Sequence, residues 1–115
     1  MSTIFKKIID KEIPANVVYE DDDFMAFRDI NPQAEVHILV IPKKEIANLN
    51  EATEEDALML GKLQLLIAKI AKNEGIADDG YRVILNVNEN GGQEVFHIHY
   101  HILGGGKIGV LNSNK

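Results

Sequence analysis

Positions 97 to 102 read His-Ile-His-Tyr-His-Ile, and no other six residues restrict the fold so tightly. Strict alternation of polar and apolar residues belongs to an extended strand with one buried face, because successive side chains of a strand point to opposite sides; a helix would scatter the same histidines around its axis. On a strand, His97, His99 and His101 line one face about 6.5 Å apart, from a rise of ~3.3 Å per residue. Ile98, Tyr100 and Ile102 turn to the other face.

The rest of the chain supplies partners for such a strand. Ile4, Phe5, Ile8 and Ile9 fall at helical spacing behind Ser2 or Thr3 as a cap, and Pro14 forbids continuation, so a short helix is predicted over 3–11. Asn16 to Glu20 and Phe24 to Arg28 flank the acidic turn Asp21-Asp22-Asp23 and predict a hairpin. Val36 to Ile41 is a third strand, stopped by Pro42. Thr53 followed by Glu54, Glu55 and Asp56 announces a long helix whose buried face carries Met59, Leu63, Leu66, Ile67 and Ile70 and which ends at Gly75. Tyr81 to Val87 and Val95 to Leu103 complete the set, separated by the turn cluster Asn88 to Gly92. Strands interrupted by one long helix, with little room for parallel crossovers, predict an α+β domain on an antiparallel sheet. The 115 residues hold one domain of ordinary composition, and the tail from about Gly104 reads as loosely ordered.

Charge and composition narrow the function. Twelve Lys and Arg against eighteen Asp and Glu leave a net charge of −6, with no basic run beyond Lys6-Lys7 and Lys43-Lys44. Broad polyanion surfaces such as nucleic acid are disfavoured as partners. The absence of cysteine removes thiol catalysis, disulfide scaffolds and Cys-based zinc ribbons. Residues 1–14 lack the apolar core of a signal peptide, and no segment approaches the ~18 apolar residues of a membrane span. The expectation is a soluble, cytoplasmic protein with no membrane contact.

Three aligned imidazoles suppress one another's protonation and pack no better than Val or Thr, so chemistry rather than packing accounts for the pattern. His37, inside the apolar strand Val36 to Ile41, is the obvious hydrogen-bonding partner for them. Two chemistries fit. The imidazoles can be metal ligands, although any carboxylate ligand, such as Glu94, would have to come close by chance. Alternatively one imidazole is a nucleophile toward phosphorus, held in its tautomer by its neighbours. Asn90-Gly91-Gly92-Gln93 lies just upstream, where glycines let backbone N–H groups approach an anion. An acidic protein needs such local donors, and they favour the phosphorus reading.

The sequence resembles the histidine triad (HIT) superfamily, in its Hint-like nucleoside phosphoramidase branch. His97 to Leu103 has the form His-φ-His-φ-His-φ-φ that defines the superfamily. Ile4 to Ile9, Glu12 to Ala15, Phe27 to Ala34, His37 to Lys44 and Gly91 to Gln93 are similar to the branch as well. The resemblance implies a five-stranded antiparallel sheet paired into a ten-stranded one in a homodimer, with the long helix at the interface. It implies that His99 is the nucleophile of a nucleotidyl-histidine intermediate, that His97 and His101 flank it, and that His37 extends their hydrogen-bond chain. It places Asn86, Gly92, Gln93, Glu94 and Val95 at the phosphate, Asp29 at the ribose hydroxyls, and Phe5, Ile8, Phe27, Ile30 and Leu39 around the purine. Read alone, Asp29 is a loop carboxylate and Phe5 or Leu39 ordinary core. Glu94 stands where animal members carry a serine, and the ending from Gly104 lacks their tryptophan.

The activity expected is hydrolysis of an adenosine or guanosine 5′-phosphoramidate to the nucleoside monophosphate and an amine, without metal or cofactor. A dinucleoside polyphosphate hydrolase, a non-catalytic nucleotide-binding module and a strand-based zinc site are the alternatives.

Overall fold

A computed structural model of the chain describes residues 3–109. Thr3 caps the first helix, its Oγ1 accepting from the Lys6 N–H at 3.1 Å, and α1 spans Ile4–Ile9 with Phe5 and Ile8 buried. It ends short of the expected limit because Lys11 adopts φ 64°, a left-handed conformation through which a helix does not continue. β1 (Val17–Glu20) and β2 (Phe24–Arg28) form the expected hairpin. The Asp21 carboxylate closes its turn by accepting the Asp23 and Phe24 N–H groups, each at 2.8 Å.

β3 covers Val36–Pro42. Pro42 belongs to it, as the register partner of Phe24. Pairing to the strand on the other side stops at Val40, so the missing N–H costs no ladder bond. The residues Glu54–Asp56, expected as the first turn of the long helix, form a 3₁₀ turn, and α2 proper spans Ala57–Asn73. Thr53 donates its N–H to Asp56 Oδ2 at 2.9 Å, the return half of a capping box. Gly75, at φ 77°, follows the helix end. β4 (Arg82–Leu85) and β5 (Tyr100–Gly104) complete an antiparallel sheet of order β1-β2-β3-β5-β4.

Side-chain alternation sorts the sheet into two faces. Phe24, Ala26, Ile38, Val40, Tyr100 and Ile102 pack against Leu63, Leu66, Ile67 and Ile70 of α2. On the opposite face Met25, Phe27, Leu39 and Ile41 pack against Phe5 and Ile8 of α1. Leu63 is fully buried, so truncating it to Ala should cost about 2–5 kcal/mol. Because His37 and His101 have odd numbers in β3 and β5, with Leu39 opposite His101 in register, they project on the α1 face.

β5 is shorter than the histidine alternation predicts. It begins at Tyr100, so His97 and His99 precede it. β3 offers no regular ladder at that level, and residues 93–98 bond instead to the segment leaving β3. His97 Nε2 donates to Pro42 O at 2.7 Å, the Ile98 N–H to Ile46 O at 2.7 Å, and Gln93 Nε2 to Ala47 O at 2.7 Å. The tail expectation also needs correcting at its start. Gly104 is the last residue of β5, and a Cβ there would lie 2.8 Å from Ile76 Cδ1. Arg82 donates to the Gly109 carbonyl, and the rest of the tail, 110–115, lies outside the described residues. Among those, no helix is long and apolar enough to cross a membrane.

Candidate active site

The α1 face opens into a cleft of about 650 Å³. Its apolar wall is Phe5, Ile8, Phe27 and Leu39, all buried, and Ile30, 89% exposed, stands at the rim. Its polar side includes Asp29, His37, His99, His101 and Asn86, with Arg28, Asn31 and Gln33 beside them, and Gly92, Glu94 and Val95 bring the glycine turn to it. The cleft thus gathers all the site residues expected from sequence except His97 and Gln93. Ile4, Ile13, Pro14 and Ala15 also line it; none of them is among the site residues expected from sequence, since their part in the cleft depends on how α1 and the chain after it lie across the sheet.

The imidazoles form a row despite the short β5. Phe5 meets His99 edge-on at 4.9 Å between centroids, His99 lies 5.0 Å from His101, and His101 lies 5.2 Å from His37. The partner of each ring nitrogen assigns its proton. His99 Nδ1 lies 2.8 Å from the His97 carbonyl oxygen, which can only accept, so Nδ1 carries the hydrogen and Nε2 keeps a free lone pair. His97 Nε2 is a donor for the same reason, bonded to Pro42 O. His37 Nδ1 accepts the Gln33 N–H at 3.0 Å. Its proton is therefore on Nε2, which donates to His101 Nδ1 at 2.9 Å, and His101 in turn holds its hydrogen on Nε2. His97, 1% exposed, orients the backbone that fixes His99 and does not line the cleft.

Electrostatics keeps these rings neutral. Burial lowers the pKa of His37, His97 and His99 below the ordinary 6.5. His101 is pushed down to about 4 by burial and by the neighbouring His99 and His37. Asp29 opposes the shift at His37, His99 and His101. Its Oδ2 lies 3.5 Å from His37 Nε2, and its Oδ1 accepts the Asn31 N–H at 2.8 Å, so this carboxylate also shapes its own loop.

Positive charge is scarce in the cleft. Among the described residues the one cationic chain lining the cleft is Arg28, and Glu74 holds its Nη2 at 3.0 Å. Within the turn, the Gly91 and Gln93 N–H groups bond Asn88 O and the Gly92 N–H bonds Glu89 O. The Glu94 and Val95 N–H groups have no acceptor among the described residues, and both residues line the cleft. Gln93 is buried, its side chain bonded to Ala47 O, Val95 O, the Asn88 N–H and Asn48 Nδ2, so it braces the turn from behind. A metal would find one donor atom each from Asp29, His37 and His101 within 4.8 Å of one another. His37 Nε2 and His101 Nδ1 are engaged with each other.

The chain matches the profile of the HIT domain over residues 10–108. It belongs to the HIT domain family. It is 53% identical over 113 residues to the purine nucleoside phosphoramidase of Escherichia coli K12, covering 98% of this chain and 95% of that protein. An uncharacterised HIT-like protein of Synechococcus elongatus is 58% identical over 90% of each chain. Among solved structures, the HIT family hydrolase of Legionella pneumophila superposes with a TM-score of 0.92 at 48% identity, over 94% of this chain and 96% of that one. The histidine triad protein of Clostridium difficile gives 0.92 at 46%, over 96% of each. The α+β sheet with one long helix is therefore the HIT fold, and His97, His99 and His101 are its histidine triad.

Proposed function

We propose that the protein hydrolyses the P–N bond of a purine nucleoside 5′-phosphoramidate to the nucleoside monophosphate and an amine. One observation carries the reading: the His97 carbonyl pins Nδ1–H of His99 and leaves Nε2 unprotonated in a cleft with an apolar slot on one side and backbone donors on the other. Nε2 attacks the α-phosphorus, a P–N bond to His99 forms, and the bond to the amine breaks. Water then cleaves the nucleotidyl-histidine. The relationship to the phosphoramidase of E. coli K12 supports the same substrate class, and the apolar slot suits a purine, with Asp29 at the ribose.

The amine must leave with a proton. His37 does not store it, because protonating Nδ1 would break its bond from the Gln33 N–H. His101, neutral in the free protein, gains affinity for a proton when an anionic phosphoryl group settles beside it. It delivers that proton to the amine and recovers one from the attacking water. While His101 is charged, Asp29 Oδ2 offers His37 Nε2–H an alternative acceptor.

A homodimer extends the reading. β4 is an edge of the sheet with Val83 exposed, and α2 presents Leu58 and Leu65, 71% and 74% exposed, a combination that a second copy would cover. Light scattering should give twice the chain mass.

The catalytic assay compares AMP release from adenosine 5′-phosphoramidate and from diadenosine tetraphosphate, with the parent and His99→Ala proteins. Faster release from the phosphoramidate, lost in the variant, is expected. Preference for the tetraphosphate would replace the reading with a dinucleoside polyphosphate hydrolase, and AMP binding without turnover with a nucleotide-binding module.

A further inference from the structure

Asn48 is a polar residue outside the cleft, only 3% exposed, that neither the histidine motif nor the apolar pattern calls for. Its Nδ2 donates to Asn88 Oδ1 at 2.8 Å and to Gln93 Oε1 at 3.2 Å, and its Oδ1 accepts the Asn50 N–H at 3.0 Å. Gln93 Oε1 also accepts the Asn88 N–H at 2.9 Å. Asn88 is thus gripped by both its side chain and its backbone, and the Asn88 carbonyl accepts the Gly91 and Gln93 N–H groups.

Asn88 needs that grip. Its φ of 57° with ψ −172° is a combination open to glycine and sparsely populated by any residue with a Cβ, and such conformations persist where the surroundings over-determine them. The strained residue stands between Asn86 and Gly92, two residues of the cleft, and redirects the chain into the turn ending at the Glu94 and Val95 donors. We propose that Asn48 is a positioning residue: through its buried amide bridge to Asn88 and Gln93 it holds Asn88 in the strained conformation that presents the phosphate-facing turn. The proposal rests on the reading of that turn as the phosphate cradle.

The test uses full-length protein and two readouts. Amide exchange by NMR follows the Gly91, Gly92 and Gln93 N–H groups without substrate, while steady-state kinetics with adenosine 5′-phosphoramidate separates KM from kcat. Asn48→Ala should accelerate exchange at these amides and raise KM about 10-fold with kcat within about 3-fold, because the bonds fixing His99 do not pass through the bridge. At the exposed position 88, Asn88→Ala should raise KM similarly. Asn88→Gly should not, since glycine adopts φ +57° unaided. Asn48→Ala/Asn88→Gly should return KM to within about 3-fold of the parent. Should Asn48→Ala fold poorly, the Ala and Gly variants at 88 carry the test alone.

Unchanged exchange and KM in Asn48→Ala, or equal KM for Asn88→Ala and Asn88→Gly, would overturn the proposal. A parent inactive on the phosphoramidate would count against the proposed function, while the exchange readout would still decide the bridge.

Discussion

Acid should destabilise this protein well above the pH at which carboxylates protonate, and His101 sets the scale. Its pKa falls from 6.5 to about 4 on folding, so between those values the unfolded chain binds the extra proton and stability falls as pH falls. The penalty is negligible at pH 7 and about 2 kcal/mol at pH 5 for this one ring, reaching about 3 kcal/mol below pH 4. His37, His97 and His99 are shifted in the same direction by burial and steepen the loss. Glu20, Asp21 and Asp56, whose pKa values are lowered, contribute stability that is lost only as pH falls below about 4, so the two windows separate. Urea unfolding followed by circular dichroism at pH 7 and pH 5 measures the difference. In His101→Asn, which keeps an oxygen to accept the His37 Nε2–H, the pH dependence should shrink by about 2 kcal/mol. An identical pH dependence in parent and variant would refute the assignment of a buried neutral imidazole at 101.

His99→Ala should lower kcat by at least ~10³ while AMP affinity, read by calorimetry, survives; a variant retaining a tenth of parental turnover would end the nucleophile assignment. Activity should persist through exhaustive dialysis against EDTA, whereas loss reversed specifically by zinc would favour the Asp29, His37 and His101 cluster as a metal site. If Asp29 accepts both ribose hydroxyls, a 2′-deoxy substrate should lose about 10- to 100-fold in kcat/KM, corresponding to ~1.5–3 kcal/mol. Asp29→Ala should then penalise the ribonucleotide more than the 2′-deoxy substrate; equal losses for both sugars would leave Asp29 its bond to the Asn31 N–H and its place beside His37 Nε2, with no part in holding the sugar.

Sequence pattern reaches some of this molecule and stops at identifiable points. The face of α2 is legible because Leu63, Leu66, Ile67 and Ile70 repeat at helical spacing, and the hairpin because Asp21 supplies its own turn closure. The alternation through 97–102 correctly groups the imidazoles on one side, yet it overextends β5. A period of two reports an extended backbone, and cannot say whether the next strand still has a ladder to offer. Here pairing between β3 and β5 stops at Val40, and bonds to the carbonyls of Pro42, Ile46 and Ala47 take over. The family resemblance puts Gln93 at the phosphate, while its buried bonds to Ala47 and Asn48 join residues 45 or more positions apart and leave no local trace. Asn48 is invisible for the same reason. The proton positions depend on a carbonyl at His97 and an N–H at Gln33, groups that every residue but proline carries.

The central claim is that reaction passes through a covalent bond between phosphorus and His99. Its most direct measurement is the stereochemical course at phosphorus, using a P-chiral adenosine phosphoramidate analogue hydrolysed in oxygen-18 water. Two in-line displacements, first by His99 Nε2 and then by water, predict net retention of configuration. Net inversion would mean that water attacks the substrate directly and would contradict the account.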